Sequence, residues 1–482
     1  MRFVTTHGEA PPVSFKTAVF EGLAPDGGLY VPETIEPWSH AELSRLPRRT
    51  LTEIALRVLR PFTRGELDAT VFEAVIAAAL DFEIPLVTVE PGIHALELFH
   101  GPTLAFKDVG ARVMARLMAS LHEGDAPLTV LVATSGDTGS AVAHAFHGVP
   151  YTRVMVLYPH GRISPTQEAQ LTMFNGEEPG MACGNVRAYA VAGSFDDCHR
   201  LTREAFRDPE LRRQVPMTSA NSVNVGRLLP QMIYYFHAIA QLMGRARSFP
   251  TAGTVAELAD QATAAAAPAQ TPDRVVFCTP SGNFGNLTAG LMAKRAGLPI
   301  AQFVAATNVN DIVPEYLLTG RFQPRASVHT LANAMDVGHP SNFERMSWLY
   351  DHDLDAMRRD IVGARYVDDE VRDAIRRTFE TRGYLLDPHS AIVYLGIQGG
   401  LGGRGSRVGQ RGVGIFLARA GQAGRVGVFL ATAHPAKFAE IVEPIIGRAI
   451  PKPAGLAAAL AQPRRILRID ATLDAVKDTL VS

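Results

Sequence analysis

The chain has 482 residues, more than one ordinary domain holds, which predicts two or three domains. Apolar residues make up 47% of it and charged residues 20%, the composition of a soluble globular protein. The formal net charge of -1 gives no overall basic field to attract nucleic acid or an acidic membrane, so we expect neither partner.

The ends of the chain and its cysteines predict the compartment. The first residues, MRFVTTHGEAPPVSF, lack the charged start and the continuous apolar core of a signal peptide. No apolar run is long enough to span a bilayer, because Gly, Pro or charge interrupts each one. The cysteines, Cys183, Cys198 and Cys278, are widely spaced and odd in number, which argues against a disulfide framework and a CxxC metal site. We therefore predict a cytoplasmic protein that holds no metal.

In chain order, the first ~90 residues contain short helical patterns, at 51–59 and 71–80, separated by Pro/Gly turns. From about Leu128 the pattern changes to apolar runs that alternate with Gly/Ser loops and amphipathic stretches. The apolar runs are LTVLVA (128–133), VMVLY (154–158), VVFC (275–278), FVAAT (303–307) and VGVFLA (426–431). Buried strands that alternate with helices predict an α/β fold with a largely parallel sheet.

Two stretches have the composition of insertions. Residues 251–272 are rich in Ala, and residues 399–412 are rich in Gly and Arg. The second stretch contains GLGGRG, which satisfies the dinucleotide pattern GxGxxG. We reject that interpretation, because no apolar-periodic helix begins there and no acidic residue lies about 20 positions further on. We expect surface loops at both places.

Lys107 lies in LELFHGPTLAFKDVGARVMARLM, residues 96–118, after three apolar residues and before an amphipathic helix. Partial burial lowers the pKa of a lysine and makes its amine a nucleophile for an aldehyde. Considered without the other motifs, an ordinary solvated lysine remains the alternative.

A second motif, TSGDTGSA (134–141), joins a buried strand to a helix. Gly136 and Gly139 permit a tight backbone, while Ser135, Thr138 and the helix N-terminal amides can receive an anion such as a substrate carboxylate. The alternative is an ordinary Gly-rich turn, and the negative charge of Asp137 weakens the attraction for anions.

A third motif, TPSGNFGN (279–286), also joins a strand to a helix. Its small residues form a turn whose N–H groups can hold a phosphate. The motif lacks the GK[ST] ending of a nucleotide P-loop, so a cofactor phosphate without a metal fits better than ATP.

Together the motifs resemble fold-type II pyridoxal-phosphate (PLP) enzymes, and their details resemble the threonine synthase family. The matching segments cover nearly the whole chain apart from the two insertions and a short segment near 175–184. They are SFKTAVFEGLAPDGGLYVPE (14–33), ELFHGPTLAFKD (97–108), TSGDTGSAVAHAF (134–146), SANSVNVGRLLPQ (219–231), PSGNFGNLTAGLMAKRAGLP (280–299), AATNVNDIVPEYL (305–317), ANAMDVGHPSNFER (332–345) and ATAHPAKF (431–438). HGPTLAFKD and APDGGLYVP are the most specific.

The resemblance implies an α/β fold like that of the tryptophan synthase β chain, with two α/β lobes, largely parallel sheets and an N-terminal helical extension. We expect an N-terminal threonine-synthase-type domain at 1–92 and a PLP-dependent catalytic region at 93–450. The smaller lobe of that region is expected roughly at 108–225, and a C-terminal extension at 451–482.

The resemblance also implies roles for individual residues. Lys107 is the expected catalytic residue, which holds PLP as a Schiff base and shuttles protons. The expected cofactor-binding residues are Lys107, Ser281, Gly282, Asn283, Phe284, Gly285, Asn286, Thr432 and Asn221, with Thr432 facing the pyridine nitrogen. The expected substrate-binding residues are Thr103, Ser135, Gly136, Asp137, Thr138 and Arg162. Candidate cations for a substrate phosphate are Arg112, Arg162, Arg227 and Lys437.

The implied reaction converts O-phospho-L-homoserine and water to L-threonine and phosphate by γ-elimination and β-addition of water, the last step of threonine biosynthesis. We expect a monomer or homodimer. The alternatives are another fold-type II lyase, such as a serine/threonine dehydratase, and a catalytically idle binding protein of the same family. The intact Lys107 argues against the idle protein.

Overall fold

The computed structural model describes residues 1–124, 126–134, 136–176, 184–248, 274–402 and 425–481. The expected insertion at 251–272 lies outside these ranges, as do residues 403–412 of the second one. Residues 399–402 of that second stretch form the end of a helix.

The N-terminal region is mainly helical. Its elements are strands β1 (Phe3–Thr5) and β2 (Tyr30–Pro32), which pair antiparallel, and helices α1 (Phe15–Glu21), α2 (His40–Arg45), α3 (Leu51–Thr63) and α4 (Ala69–Ala79). Helix α3 begins at a capping box, in which the Thr50 side chain accepts from the N–H of Glu53 while the Glu53 side chain accepts from the N–H of Thr50. Asp68 caps α4 by accepting from two N–H groups. The two predicted helical patterns therefore form helices.

A six-stranded sheet forms the base of the larger lobe. Its strands are β3 (Leu86–Glu90), β4 (Ile93–Glu97), β9 (Val275–Pro280), β10 (Gln302–Thr307), β11 (Ile361–Arg365) and β12 (Val426–Ala431). Their order is β11-β10-β9-β12-β4-β3, and all neighbouring pairs are parallel except β3 and β4. Because β9, β12 and β4 are adjacent and parallel, the segments that follow them leave from one edge of the sheet.

A five-stranded parallel sheet forms the smaller lobe. Its strands are β5 (Leu128–Ala133), β6 (Thr152–Pro159), β7 (Val186–Val191), β8 (Met217–Ser219) and β13 (Leu467–Ile469), in the order β13-β7-β6-β5-β8. All six residues of β5 are buried, as a strand covered on both faces requires. The C-terminal segment thus completes this sheet, since β13 pairs with β7.

Helices cover the two sheets. They are α5 (Lys107–Leu121), α6 (Asp137–Phe146), α7 (Pro165–Thr172), α8 (Phe195–Arg207), α9 (Pro209–Gln214), α10 (Val225–Leu228), α11 (Met232–Ser248), α12 (Gly285–Arg295), α13 (Ile312–Thr319), α14 (Phe343–Leu349), α15 (Leu354–Asp360), α16 (Asp368–Arg382), α17 (Pro388–Gly402), α18 (Ala439–Ile446), α19 (Ala454–Ala461) and α20 (Leu473–Val481). Short 3-10 turns lie at Leu46–Arg48, Leu229–Gln231, Asn333–Met335 and Pro435–Phe438. None of the helices in the described ranges combines the length and the apolar content that a bilayer crossing requires.

One continuous apolar core joins the N-terminal helices to both lobes. It includes Phe72 of α4, Val113 of α5, Val130 of β5 and Phe277 of β9, each with no exposed surface. Helix α5 lies at the centre of this core and packs against α4, α6 and α10. The first residue of α5 is Lys107, so the predicted catalytic lysine begins the helix that the N-terminal region and the lobes share.

A substitution at Gly290 of α12 tests how tightly this core is packed. A Cβ atom added there would lie 2.7 Å from both the Phe303 and the Tyr235 rings. We expect Gly290→Ala to lower the free energy of unfolding by about 1–3 kcal/mol, because neither ring can retreat without disturbing its neighbours. Denaturant or thermal unfolding measures the change.

Gly244→Ala is the matched control, since Gly244 is also helical and an added Cβ there meets no described atom within 4 Å. It should be neutral or raise the free energy of unfolding by about 0.5–1 kcal/mol. Equal destabilisation by the two substitutions would contradict the packing described for α12.

Candidate active site

Lys107 is held by backbone pairing between two loops. The segment that follows β4 runs beside the segment that follows β12: the N–H of Phe106 donates to the carbonyl of Thr432 at 2.8 Å, and the N–H of His434 donates to the carbonyl of Leu104 at 3.0 Å. Ala105 and Ala433 form an antiparallel bridge between them. Leu104 accordingly adopts a left-handed backbone, with φ of 57°. This pairing fixes where α5 begins and therefore where the Lys107 amine lies.

The surroundings of Lys107 favour its neutral amine. Burial lowers the pKa of Lys107 to about 8, against the opposing effect of the Asp137 carboxylate, while the charges of Lys437 and Arg227 add to the lowering. The neutral amine is the form that attacks an aldehyde. The predicted tuning of Lys107 by apolar surroundings thus has a structural basis.

The TSGDTGSA motif forms the turn between β5 and α6, as predicted. Gly136 has φ of 137°, and a Cβ atom there would lie 2.4 Å from Gln167, so this position requires glycine. The Oγ1 atom of Thr134 accepts from the N–H groups of Gly136 and Gly139, both at 2.9 Å, and closes the turn. Thr138 is partly buried at the start of α6, and Ser135 lies outside the described residues.

Asp137 is a buried carboxylate in this turn. Lys437, which is fully buried, binds its Oδ1 atom at 2.8 Å, and the Gln167 amide donates to the same atom at 3.3 Å. Burial alone raises the pKa of Asp137, but the charges of Lys437 and Lys107 outweigh burial and hold that pKa well below its ordinary value. Asp137 is therefore ionised at every physiological pH.

The 281–286 segment forms the turn between β9 and α12. Phe284 has a left-handed backbone, with φ of 60°, and side chains fix the turn on both sides: the Asn286 amide donates to the carbonyl of Pro280 at 2.8 Å, and Ser341 Oγ donates to Asn283 Oδ1 at 3.0 Å. Among the described residues, the N–H groups of Gly282, Asn283, Phe284 and Gly285 donate to no other group. Converging unpaired N–H groups at the start of a helix form a cradle for an anion.

Two further residues that were expected to bind the cofactor present polar groups in the same region. Asn221 follows β8, and its buried Oδ1 atom has no hydrogen-bond partner within the described ranges. Thr432 is buried directly after β12, and its carbonyl accepts from the N–H of Phe106, the residue before Lys107. A buried polar atom without a partner, such as Asn221 Oδ1, indicates a missing ligand or water. An amine for the aldehyde, a cradle for the phosphate and an uncharged hydroxyl nearby together fit PLP.

The remaining predicted residues divide into central and peripheral ones. Thr103 is buried, and its N–H and Oγ1 donate to the two oxygens of Asp108 at 2.9 and 2.7 Å. Arg162 is exposed in the loop between β6 and α7. Arg112 binds Asp81 at 2.6 Å and the carbonyls of α4, which directs it away from the site. Arg227 is buried near Lys107, with its Nε atom unpaired among described residues.

Several buried residues of the site were not predicted. Gln167 and Gln170 lie three residues apart on α7, and Gln170 donates to the carbonyl of Thr103 at 3.4 Å. Arg345 is fully buried and donates to the carbonyls of Tyr30 and Val223 and to Asn342. The sequence offers a weak signal for the glutamines alone: two Gln at helical spacing after an apolar strand. Arg345 gives none, because its partners come from distant segments.

Comparison with known families agrees with this geometry. Residues 85–409 match the family described as pyridoxal-phosphate dependent enzyme, residues 2–80 match the threonine synthase N terminus, and residues 409–480 match the C-terminal part of threonine synthase. The fold and the site therefore define a PLP-dependent enzyme of fold type II.

Individual relatives narrow the class. The chain is 42% identical to the threonine synthase of Haemophilus influenzae over 445 residues, which is 92% of this chain and 90% of that protein. The crystal structure of threonine synthase from Escherichia coli has a TM-score of 0.82 at 37% identity, with 100% of this chain and 99% of that chain covered. A PLP-bound threonine synthase from Brucella melitensis has a TM-score of 0.84 at 34% identity, with the same coverage. The chain belongs to the threonine synthase family, PLP-dependent lyases, which confirms the predicted family, fold class and cofactor.

The lowered pKa of Lys107 predicts its reactivity in the cofactor-free protein. A lysine whose pKa falls from 10.5 to about 8 loses its proton two to three pH units earlier than a free lysine, so its amine reacts at lower pH. We expect the rate at which an amine-reactive reagent acylates Lys107 to reach half its maximum near pH 8. Peptide mass mapping across a pH series measures this rate.

Lys107→Ala serves as the control, because it removes the labelled peptide. A labelling rate that continues to rise beyond pH 10 would show that Lys107 behaves as an ordinary solvated lysine.

Proposed function

We propose that this protein converts O-phospho-L-homoserine and water to L-threonine and phosphate, the last step of threonine biosynthesis. The observation that carries the proposal is the amine of Lys107, with its lowered pKa, on the sheet edge that also bears the 281–286 cradle. That edge is where open α/β sheets bind ligands. The family and its cofactor support the particular reaction.

The residues divide the work as follows. Bound PLP supplies an electron sink for negative charge that develops on the substrate carbons. Lys107 would bond the cofactor, and its Nζ would take the proton from the substrate Cα. A second proton must leave Cβ for the γ-phosphate to be expelled, and protons return to Cγ and, once water has added at Cβ, to Cα. The N–H groups of Gly282 to Gly285 would hold the cofactor phosphate, and the Thr432 hydroxyl would face the pyridine nitrogen. Asn221, whose Oδ1 atom has no partner among the described residues, would also contact the cofactor.

For the substrate, we propose two anion subsites. The N–H groups of Asp137 and Thr138 at the start of α6 receive the carboxylate, with Ser135, Gly136 and Thr103 beside this subsite; the Gly136 N–H already donates to Thr134. Arg162 is the proposed contact for the leaving phosphate, since it is exposed in the loop before α7, the helix whose Gln167 contacts Asp137. Arg112 and Lys437 are unsuited to that role, because carboxylates already bind both.

The partners, the compartment and the oligomeric state of the enzyme are part of the same proposal. A net charge of -1 supports action on small molecules without nucleic acid, and we propose a cytoplasmic monomer or homodimer. The division into 1–92, 93–450 and 451–482 remains a prediction.

The decisive experiment follows phosphate and threonine together. PLP-loaded protein given O-phospho-L-homoserine should release equal amounts of both, and Lys107→Ala should reduce turnover by several orders of magnitude, because covalent attachment and proton transfer are lost together. Borohydride reduction followed by peptide mapping should fix the cofactor on Lys107.

Lys294→Ala is the matched control, since Lys294 forms an ion pair with Asp360 at the last turn of α12. Formation of a 2-oxo acid and ammonia from serine or threonine, with no phosphate release from O-phospho-L-homoserine, would favour a dehydratase. If neither activity is found, the result would favour the idle binding protein.

Thr432 tests the partner of the pyridine nitrogen. Thr432→Asp places a carboxylate beside that nitrogen, favours its protonated form and changes the electron sink, so we expect retained PLP binding, a shifted cofactor absorbance and a large loss of threonine formation. Thr432→Ser keeps the hydroxyl and should be mild. Normal turnover and an unchanged spectrum in Thr432→Asp would assign the nitrogen another partner.

A further inference from the structure

Lys437 is a buried ammonium group in the wall of the active site. It follows β12 of the larger lobe, has no exposed surface, and donates to Asp137 Oδ1 and to the carbonyl of Thr103, both at 2.8 Å. A buried ammonium is costly unless a charge and hydrogen bonds compensate it. Asp137 follows β5 of the smaller lobe, so this ion pair joins the two lobes.

Both partners of Lys437 are connected to Lys107. Thr103 lies in the loop that leads to Lys107, and its N–H and Oγ1 bind Asp108, the residue after Lys107. Asp137 is the carboxylate whose charge acts on Lys107. One ammonium group therefore connects the backbone before Lys107 with the carboxylate whose charge acts on Lys107.

The charges that face this region come from five elements. The anions are Asp137 of α6 and Asp108 of α5, and the cations are Lys437 of the turn after β12 and Arg227 of α10. His389 of α17 also acts on Asp137 through its charge and binds Asp387 at 2.7 Å. The Lys437–Asp137 pair contributes no net charge, so Lys107 faces a fixed dipole there.

We propose that Lys437 is a positioning residue for Lys107: it holds the Asp137 carboxylate in place, cancels its charge and fixes the loop before Lys107. This inference rests on the proposed function, in which Lys107 moves the substrate protons. Lys437 therefore binds Asp137, and other cations would bind the substrate phosphate. The consequence is that the protonation of the Lys107 nitrogen depends on Lys437 without any contact between Lys437 and substrate.

The test uses the PLP-loaded enzyme and three variants. Lys437→Met leaves Asp137 uncompensated, which stabilises a proton on the Lys107 nitrogen and should raise the pH midpoint of the bound-cofactor absorbance change by about one unit or more. Asp137→Asn leaves the cation and should lower that midpoint. The double variant removes both charges and should return the midpoint toward the wild-type value.

Steady-state kinetics supply the second readout. With O-phospho-L-homoserine, Lys437→Met should lose at least tenfold in kcat with a KM change of less than about threefold, because Lys107 is misplaced while substrate contacts remain. Lys294→Met is the matched control: Lys294 binds Asp360 at 2.7 Å and the carbonyl of Ala301 at 3.3 Å, the same partner types, and should leave the midpoint and kcat unchanged.

Several results would overturn the proposal. They are an unshifted midpoint in Lys437→Met despite a lowered Tm, midpoints that move the same way in both single variants, or a large rise in KM at constant kcat, which would make Lys437 a substrate-phosphate ligand. If Lys437→Met fails to fold, the comparison of Asp137→Asn with the double variant decides, since only a shared charge role returns the midpoint. The absorbance needs no substrate, so failure of the proposed reaction would appear separately, as absent phosphate release from wild type.

Discussion

The pairing of the loop after β4 with the loop after β12 is the constraint on which the site depends. The Phe106 N–H to Thr432 carbonyl bond and the Ala105–Ala433 bridge hold two chain segments together that lie more than 300 residues apart. Because β12 is adjacent to β9 in the sheet, the 281–286 cradle leaves from the neighbouring position. One backbone arrangement thus brings the amine, the hydroxyl and the anion cradle to the same edge.

Buried charges make the site rigid, and burying them costs free energy. Asp137 and Lys437 compensate each other, and Arg345 is satisfied by carbonyls from the N-terminal region and from the segment after β8. Asp108 accepts hydrogen bonds from Thr103, and burial raises its pKa to about 6 against the lowering effect of those bonds and of the charges of Lys437 and Arg112. Groups placed in this way leave the geometry little freedom, since moving any one of them would leave a buried charge without a partner.

The sequence predicted what is local and missed what is assembled from distant segments. Each strand–turn–helix motif carries its own signal, so the runs at 128–133, 275–278 and 426–431 became β5, β9 and β12 and the glycine turns followed them. Lys437 is a candidate for the substrate phosphate from the sequence, whereas in the structure it pairs with Asp137. The sequence does not reveal this pair, because its members lie 300 positions apart and only the meeting of the two lobes brings them together. Arg345 is hidden for the same reason. Side-chain chemistry is readable from a motif, whereas the choice of partner depends on topology.

The way the site holds its anions explains why the ion pair beside Lys107 matters. The 281–286 cradle contains no Lys or Arg and offers N–H groups, so a phosphate there keeps its charge and is held by dipoles. A full cation in that turn would add its field to those of Lys437 and Arg227, which already lower the pKa of Lys107. Binding by dipoles at the phosphate and cancellation of charge at Asp137 both limit the field at Lys107. In the proposed reaction, the proton on that nitrogen would then respond to the bound substrate, as is required of a residue that both takes and returns protons within one turnover.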